Sequence, residues 1–222
     1  MSGAGRRART VVLVSGGGSN LQAIIDRNAG GALGLELAGV LSDRPGVRAL
    51  ERAAAAGIPS MVVDFAEAGT REAFAQRLAV ALDGLQPDIV VLAGFMRILA
   101  HDLVNRYLGR MLNVHPSLLP LYPGLDTYRR ALAAGDAWHG STVHFVTPDL
   151  DGGPAIVQYR VRIRTGDTAD TLRERVQRGE HRVYPDAIGW LAKGRLGWRD
   201  SRAWLDGRPL AAPLQVDEPD GP

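Results

Sequence analysis

Thr10-Val11-Val12-Leu13-Val14-Ser15 runs straight into Gly16-Gly17-Gly18-Ser19-Asn20, and this junction sets the fold class. An aliphatic, β-branched run without polar alternation reads as a strand buried on both faces, in the style of a parallel sheet. The glycines break it. Ser19 or Asn20 suits the cap of a helix whose apolar Leu21, Ile24 and Ile25 share one face. The rhythm continues with strands at 37–41, 60–64 and 88–93 and helices at 47–56 and 71–82, the last stopped by Pro87. Such β–α repetition predicts a Rossmann-like α/β domain: a parallel front half with right-handed crossovers and helices on both faces.

The rhythm changes after residue 110. Met111 to His115 reads as a strand ended by Pro116, followed by a proline-rich loop and a short helix at 128–134. Residues 141–146 and 155–163 read as two strands, giving a mixed sheet with an antiparallel back half. In the second strand Val157, Tyr159, Val161 and Ile163 alternate with Gln158, Arg160, Arg162 and Arg164, the pattern of a half-exposed strand. Asp167 or Thr168 starts a helix that Pro185 is expected to kink or end. The expected organisation is a flexible segment at 1–9, a single domain at 10–206 and a loose tail at 207–222.

Composition narrows the class. The chain has 222 residues, 45% hydrophobic and 23% charged, ordinary globular values that leave room for a sizeable core. Apolar runs such as 89–93 are too short to span a bilayer, and the Gly- and Arg-rich start lacks the apolar stretch of a secretory signal. Cysteine is absent, which excludes disulfides, thiolate metal sites and a cysteine nucleophile. A net charge of +2 gives no argument for nucleic acid, and Lys193 as the only lysine makes Schiff-base chemistry a poor fit. The seven arginines from Arg160 to Arg182 read as solvated faces.

Three motifs carry chemistry. The glycine loop places backbone N–H groups and a helix N-terminus where a phosphate can sit. Counting Gly16 and Gly18 as the first two glycines of a dinucleotide fingerprint, Leu21 stands where the third belongs, and no Walker lysine follows. A single phosphate therefore fits better than a pyrophosphate, with a plain tight turn as the alternative. Asn113 and His115 are two apart on a strand, so both face one side: the amide can donate to an oxyanion and the imidazole can carry a proton. Asp149-Leu150-Asp151-Gly152-Gly153 is a turn by composition; for Asp151 to matter it must meet a partner such as His115. His144 reads as a satisfied structural histidine, and no histidine spacing suggests a metal.

In order, VVLVSGGGSNLQAIID (11–26), VVLAGFMRIL (90–99), LNVHPSLLPLYPGL (112–125), HGSTVHFVTPDLDGGPAIVQ (139–158) and RVQRGEHRVYPDAI (175–188) resemble the phosphoribosylglycinamide formyltransferase family of folate-dependent formyltransferases. The NVHPSLLP stretch is shared by the wider group; the glycine loop and EHRVYP point to this family. The resemblance implies formyl transfer from 10-formyltetrahydrofolate, as co-substrate, to the amine of glycinamide ribonucleotide, with no metal, nucleic acid or membrane partner. It implies a cytoplasmic enzyme and leaves a homodimer open. It makes Asn113, His115 and Asp151 the catalytic residues. Gly18, Ser19, Asn20, Gln177, Arg178, Gly179 and Glu180 would hold the ribonucleotide. Arg71, Met96, Arg97, Ile98, Leu99, Asn113, Thr147, Pro148, Asp149, Leu150 and Asp151 would form the folate pocket. Gly17, Asp126, Tyr128 and Pro148 depart from the family's usual residues. Methionyl-tRNA formyltransferases and formyltetrahydrofolate deformylases are the nearest rivals, and both carry further domains. A non-catalytic nucleotide-binding module or an NAD-linked oxidoreductase built on the glycine loop is the rival of another class, and Leu21 argues against the dinucleotide.

Overall fold

A computed structural model describes residues 6–219. The first strand, β1 (Ala8–Val14), lies inside an eight-stranded sheet and pairs in parallel with β2 (Leu35–Ser42) on one side and β4 (Ile89–Leu92) on the other. β2 leads outward to β3 (Ser60–Val62), also parallel, and β4 to parallel β5 (Met111–His115). Beyond β5 come antiparallel β6 (Trp138–Phe145) and β7 (Ala155–Arg162).

Period-two alternation explains the layers. Val12 and Val14 of β1 join one buried cluster, with Leu112 and Val114 of β5; Val11 and Leu13 join the other, with Met111. The first cluster is closed by helices α1 (Ser19–Arg27), α2 (Arg48–Ala55) and α7 (Ala169–Ala192). The second is closed by α4 (Arg71–Leu85) and α5 (His101–Arg106), through Phe74, Leu78, Leu82, Leu103 and Val104. Short α3 (Phe65–Ala68) and α6 (Thr127–Ala134) complete the helices. Each fully buried Val or Leu contributes roughly 1.5–3 kcal/mol, so these two clusters dominate the stability of the sheet.

The chain turns outward from β1 in opposite directions, to β2 and to β4. Their shared carboxyl end is therefore a topological switch point, the place where open α/β sheets take ligands. The Ser15 hydroxyl, just past β1, accepts the Met96 N–H just past β4 at 2.9 Å and ties the two loops together. Beneath them the Tyr184 hydroxyl of α7 sits 2.9 Å from both the Leu92 and Leu112 carbonyls.

Three expectations are corrected. α7 runs unbroken through Pro185, because its buried face of Leu172, Val176, Val183, Tyr184, Ala187 and Ile188 outweighs the local cost of about 3 kcal/mol for an interior proline. β7 is buried from Ile156 to Tyr159 rather than half-exposed, since α7 packs on it and β11 (Leu214–Asp217) extends the sheet beyond it. The described part of the tail is thus not loose. β11 is fastened by Arg160 to Asp217 at 2.6 and 2.9 Å, and by Arg175 to Glu218 at 3.0 Å. Residues 1–5 of the expected flexible segment and 220–222 of the expected tail lie outside the described residues, and Ala8 and Arg9 already belong to β1. A second sheet, unexpected from the sequence, joins β8 (Leu196–Arg199), β9 (Arg202–Leu205) and β10 (Arg208–Pro209). Among the described residues no helix is long and apolar enough to cross a membrane.

Candidate active site

β5 delivers Asn113 and His115 to one side of the sheet, as their spacing requires. His115 is 6% exposed. Its Nε2 lies 2.9 Å from the Tyr122 carbonyl, which can only accept, so Nε2 carries a hydrogen. Nδ1 is then the nitrogen left for proton exchange, and it faces Asp151 Oδ2 at 3.4 Å. Asp151 reaches this position because its backbone adopts a left-handed φ of 51° at the turn after β6. Its Oδ2 also accepts the Gly124 N–H at 2.9 Å, which pins the proline-rich loop over the imidazole. Histidine and aspartate side chains are both 8% exposed, so their mutual field is little screened by water.

His144, read from sequence as structural, belongs to this cluster. It stands opposite Asn113 in the β5–β6 ladder, its Nε2 3.2 Å from Asn113 Nδ2 and 3.9 Å from Asp151 Oδ1. Burial pulls its imidazole pKa down to about 4, against the smaller raising effects of the Phe145 carbonyl and of Asp151. Counting ladder register along the two strands is the signal that would have found it.

The glycine loop forms a second cluster. Gly18 caps α1 at φ 69°, and a Cβ there would lie 2.7 Å from the Ala49 Cβ, so α2 itself demands glycine. Gly18, rather than Ser19 or Asn20, is the cap residue, and no side chain caps the helix. A Cβ at Gly16 or Gly17 would meet nothing within 4 Å, so space is open beside both residues, while the Gly16 carbonyl accepts the Ala49 N–H at 3.1 Å. Ser19 lines a cavity of about 330 Å³ with Gln22, Arg27, Arg52 and His181. Arg52 stiffens the loop by donating to the Gly17 carbonyl and to Gln22 Oε1, both at 2.9 Å. Neither Arg52 nor His181 was singled out from sequence. Asn20 turns inward and donates from Nδ2 to Glu180 Oε2 at 2.9 Å. Burial raises the Glu180 carboxyl to about 7, with Asn20 holding it from going higher.

The other expected ribonucleotide residues divide. Gln177 is half-buried in the middle of α7, one turn before Glu180, whereas Arg178 is exposed. Gly179 packs beneath Tyr159, where a Cβ would lie 1.9 Å from the ring, so its role is to seat α7 on β7.

Of the expected folate residues, Met96 and Ile98 are 64% and 68% exposed and Leu150 is 60% exposed, while Leu99 is buried. Bare apolar side chains at a switch-point loop are surface for a flat ring to cover. Arg97 is held from behind: its Nε lies 2.6 Å from the fully buried Asp43, and its guanidinium sits 4.0 Å over the Phe65 ring. Asp43, just past β2, was not singled out from sequence. Arg71 is exposed at the start of α4, behind the Thr70 cap, and Thr147 and Pro148 are half-buried beside exposed Asp149. Among the described residues no group of three His, Asp or Glu side chains is placed to hold a metal ion.

A family model described as formyl transferase matches residues 8–188. The phosphoribosylglycinamide formyltransferase of Escherichia coli (strain K12) is 50% identical over 200 residues, covering 90% of this chain and 94% of its own. The trifunctional purine biosynthetic protein adenosine-3 of Drosophila melanogaster is 44% identical over 191 residues, 85% of this chain but 14% of that longer protein. Among solved structures, phosphoribosylglycinamide formyltransferase of Coxiella burnetii, in complex with CHES, is similar at a TM-score of 0.89 and 46% identity, covering 94% of this chain and 99% of that one.

Proposed function

Because the chain belongs to the formyl transferase family and, within it, to the phosphoribosylglycinamide formyltransferases of purine biosynthesis, we propose that it moves the formyl group of 10-formyltetrahydrofolate to glycinamide ribonucleotide without a covalent enzyme intermediate. The observation that carries this reading is the pairing of His115 with Asp151, 36 positions apart in the chain, beside Asn113 two residues away on the same strand. Such a cluster supplies an oxyanion donor, a proton carrier and a charge to stabilise it.

The free N–H groups of residues 18–20 take the substrate phosphate at the α1 N-terminus, with the Asn20 side chain anchoring that loop to Glu180 and with Glu180 and Gln177 as the ribose contacts. Met96, Ile98, Leu99 and Leu150 cover the apolar faces of the folate, with Arg97, Arg71 and the 147–151 turn around them. The substrate amine attacks the formyl carbon; a C–N bond forms and the carbonyl pair moves to oxygen. Asn113 Nδ2–H and His115 Nδ1–H donate to that oxygen while Asp151 balances the imidazolium. When the oxygen pair returns, the bond to the folate nitrogen breaks, and the proton lost by the amine goes to that nitrogen by way of Asp151 and solvent. Lys193 is exposed to a different end of the chain, bonded to the Ala32 carbonyl at 2.8 Å, and takes no part.

The test is a spectrophotometric transfer assay with 10-formyl-dideazafolate and glycinamide ribonucleotide. Turnover that depends on both substrates supports the reading; release of formate at the same rate without the ribonucleotide contradicts it.

A further inference from the structure

We infer that His144 is a positioning residue for the transfer: its Nε2 lone pair takes one N–H of the Asn113 carboxamide and so turns the other N–H toward the reacting oxygen. This rests on the reading of Asn113 as an oxyanion donor, and extends it to the residue that decides which end of the amide does the donating.

A carboxamide has a donor end and an acceptor end of nearly the same shape, and only the donor end stabilises an oxyanion. Something must choose between them. Asn113 and His144 are direct partners across the β5–β6 ladder, so their side chains are neighbours by backbone register rather than by chance of rotamer. His144 Nδ1 lies 2.8 Å from the Phe145 carbonyl, which can only accept. Nδ1 therefore carries the hydrogen, and in the neutral ring Nε2 presents a lone pair. That lone pair, 3.2 Å from Asn113 Nδ2, accepts from the amide nitrogen and would repel the amide oxygen. A nitrogen with two hydrogens on diverging bonds then has one fixed on His144 and one free for substrate.

The ring is kept neutral by its surroundings. It is 2% exposed, and burial lowers its pKa to about 4, so it remains an acceptor at neutral pH. Asp151 Oδ1, at 3.9 Å, is the one nearby charge that favours protonation. That carboxylate is engaged through its other oxygen by Gly124 and His115. A protonated His144 would turn its Nε2–H to Asp151 and release Asn113.

The turn after β6 supports both ends of the arrangement. A Cβ at Gly153 would lie 1.8 Å from the Phe145 carbonyl oxygen, so glycine leaves the room that this carbonyl occupies in fixing the His144 hydrogen. Two residues earlier the same turn delivers Asp151. One turn thereby sets the tautomer behind Asn113 and the carboxylate behind His115.

Two measurements test this. Long-range proton–nitrogen NMR of histidine-labelled parent enzyme reads the tautomer without any substrate and without any variant. The expected result between pH 6 and 8 is a hydrogen on Nδ1 of His144 and none on Nε2; a hydrogen on Nε2, or an imidazolium, overturns the inference alone. Kinetics then read the consequence. His144→Ala should lower kcat by about 10²-fold with both KM values changed less than about threefold, as expected for a misplaced catalytic group. His144→Gln, which restores an acceptor oxygen, should recover part of the loss. In an Asn113→Ala background, His144→Ala should cost less than about twofold further. Independent, multiplying effects would overturn the inference. A fully active Asn113→Ala enzyme would remove the donor reading itself while leaving the tautomer result standing.

Discussion

Asn20 and Glu180, 160 positions apart, share a buried hydrogen bond of 2.9 Å that joins the glycine loop to the middle of α7. The contact places the phosphate end and the ribose end of the proposed ribonucleotide site in one rigid unit. Asn20 Oδ1 has no partner of its own, so the side chain is committed through its nitrogen.

Asn20→Ala should raise the KM for glycinamide ribonucleotide by about 10-fold or more while leaving that for the formyl donor within about threefold, since it removes the Glu180 bond that seats the phosphate-binding loop and so weakens ground-state binding of one substrate only. Steady-state kinetics with each substrate varied in turn check this. Equal effects on both substrates would place the phosphate elsewhere.

Glu180→Gln should change the pH dependence of stability. A carboxyl held at about 7 in the fold and near 4.5 when unfolded binds its proton more tightly in the folded chain. Stability from this group is present below about pH 4.5 and is lost as pH rises to 7. The glutamine variant escapes the loss, keeping its bond to Asn20, and should gain on the order of 1–3 kcal/mol over the parent at pH 8 and almost nothing at pH 4. Urea unfolding at the two pH values measures it; a pH-independent difference would contradict it.

His139 and His144 act with the opposite sign. Burial holds both near 4, below their ordinary 6.5, so the unfolded chain takes up their protons first. Their stability is full above about pH 6.5 and lost as pH falls toward 4. Two imidazoles outweigh the single Glu180 carboxyl between pH 5 and 6.5, so the Tm of the parent should fall from pH 7 to pH 5. A Tm that rises over that interval would contradict the two buried neutral histidines.

Arg175 is the fastening of the C-terminal strand. Its guanidinium pairs with Asp167 and Glu218 and donates to the Arg162 carbonyl at 2.9 Å, all within a largely buried pocket. Arg175→Ala leaves Asp167 without its cation and Glu218 with only the longer 3.4 Å contact to exposed Arg164, and should destabilise the fold by about 3–5 kcal/mol, with proteolysis near residues 207–219 increased. Loss below about 1 kcal/mol would mean that the strand is held by its ladder and the Arg160–Asp217 pair without help from Arg175.

Much of the fold was legible because its signals are local. β1, β5 and the helix starting at residue 19 are decided by β-branched runs, period-two spacing and glycine breaks within a few residues. What was missed depends on partners far along the chain. β11 alternates Leu214 and Val216 with Gln215 and Asp217 over only four residues, and becomes a strand because β7 offers it an edge. Pro185 reads as a break until the packing of α7 on two sheets is known. The β8–β10 sheet carried one overlooked local cue, Asp206-Gly207, whose positive φ values of 50° and 77° suit a tight hairpin. In the site, Asn113 with His115 was visible from spacing, and Asp151 only from the family resemblance. His144, Arg52 and Asp43 were passed over because each matters through a cross-strand or interhelical neighbour that a single stretch of sequence does not display.

The central claim is that the His115–Asp151 pair, with Asn113, performs the transfer. Its most direct test is kcat for formyl transfer in His115→Ala and Asp151→Asn, the latter keeping an acceptor for the Gly124 N–H while removing the charge. Both enzymes should fold like the parent by circular dichroism and lose about 10²–10³ in kcat with little change in either KM. Parent-like turnover in either folded variant would contradict the account.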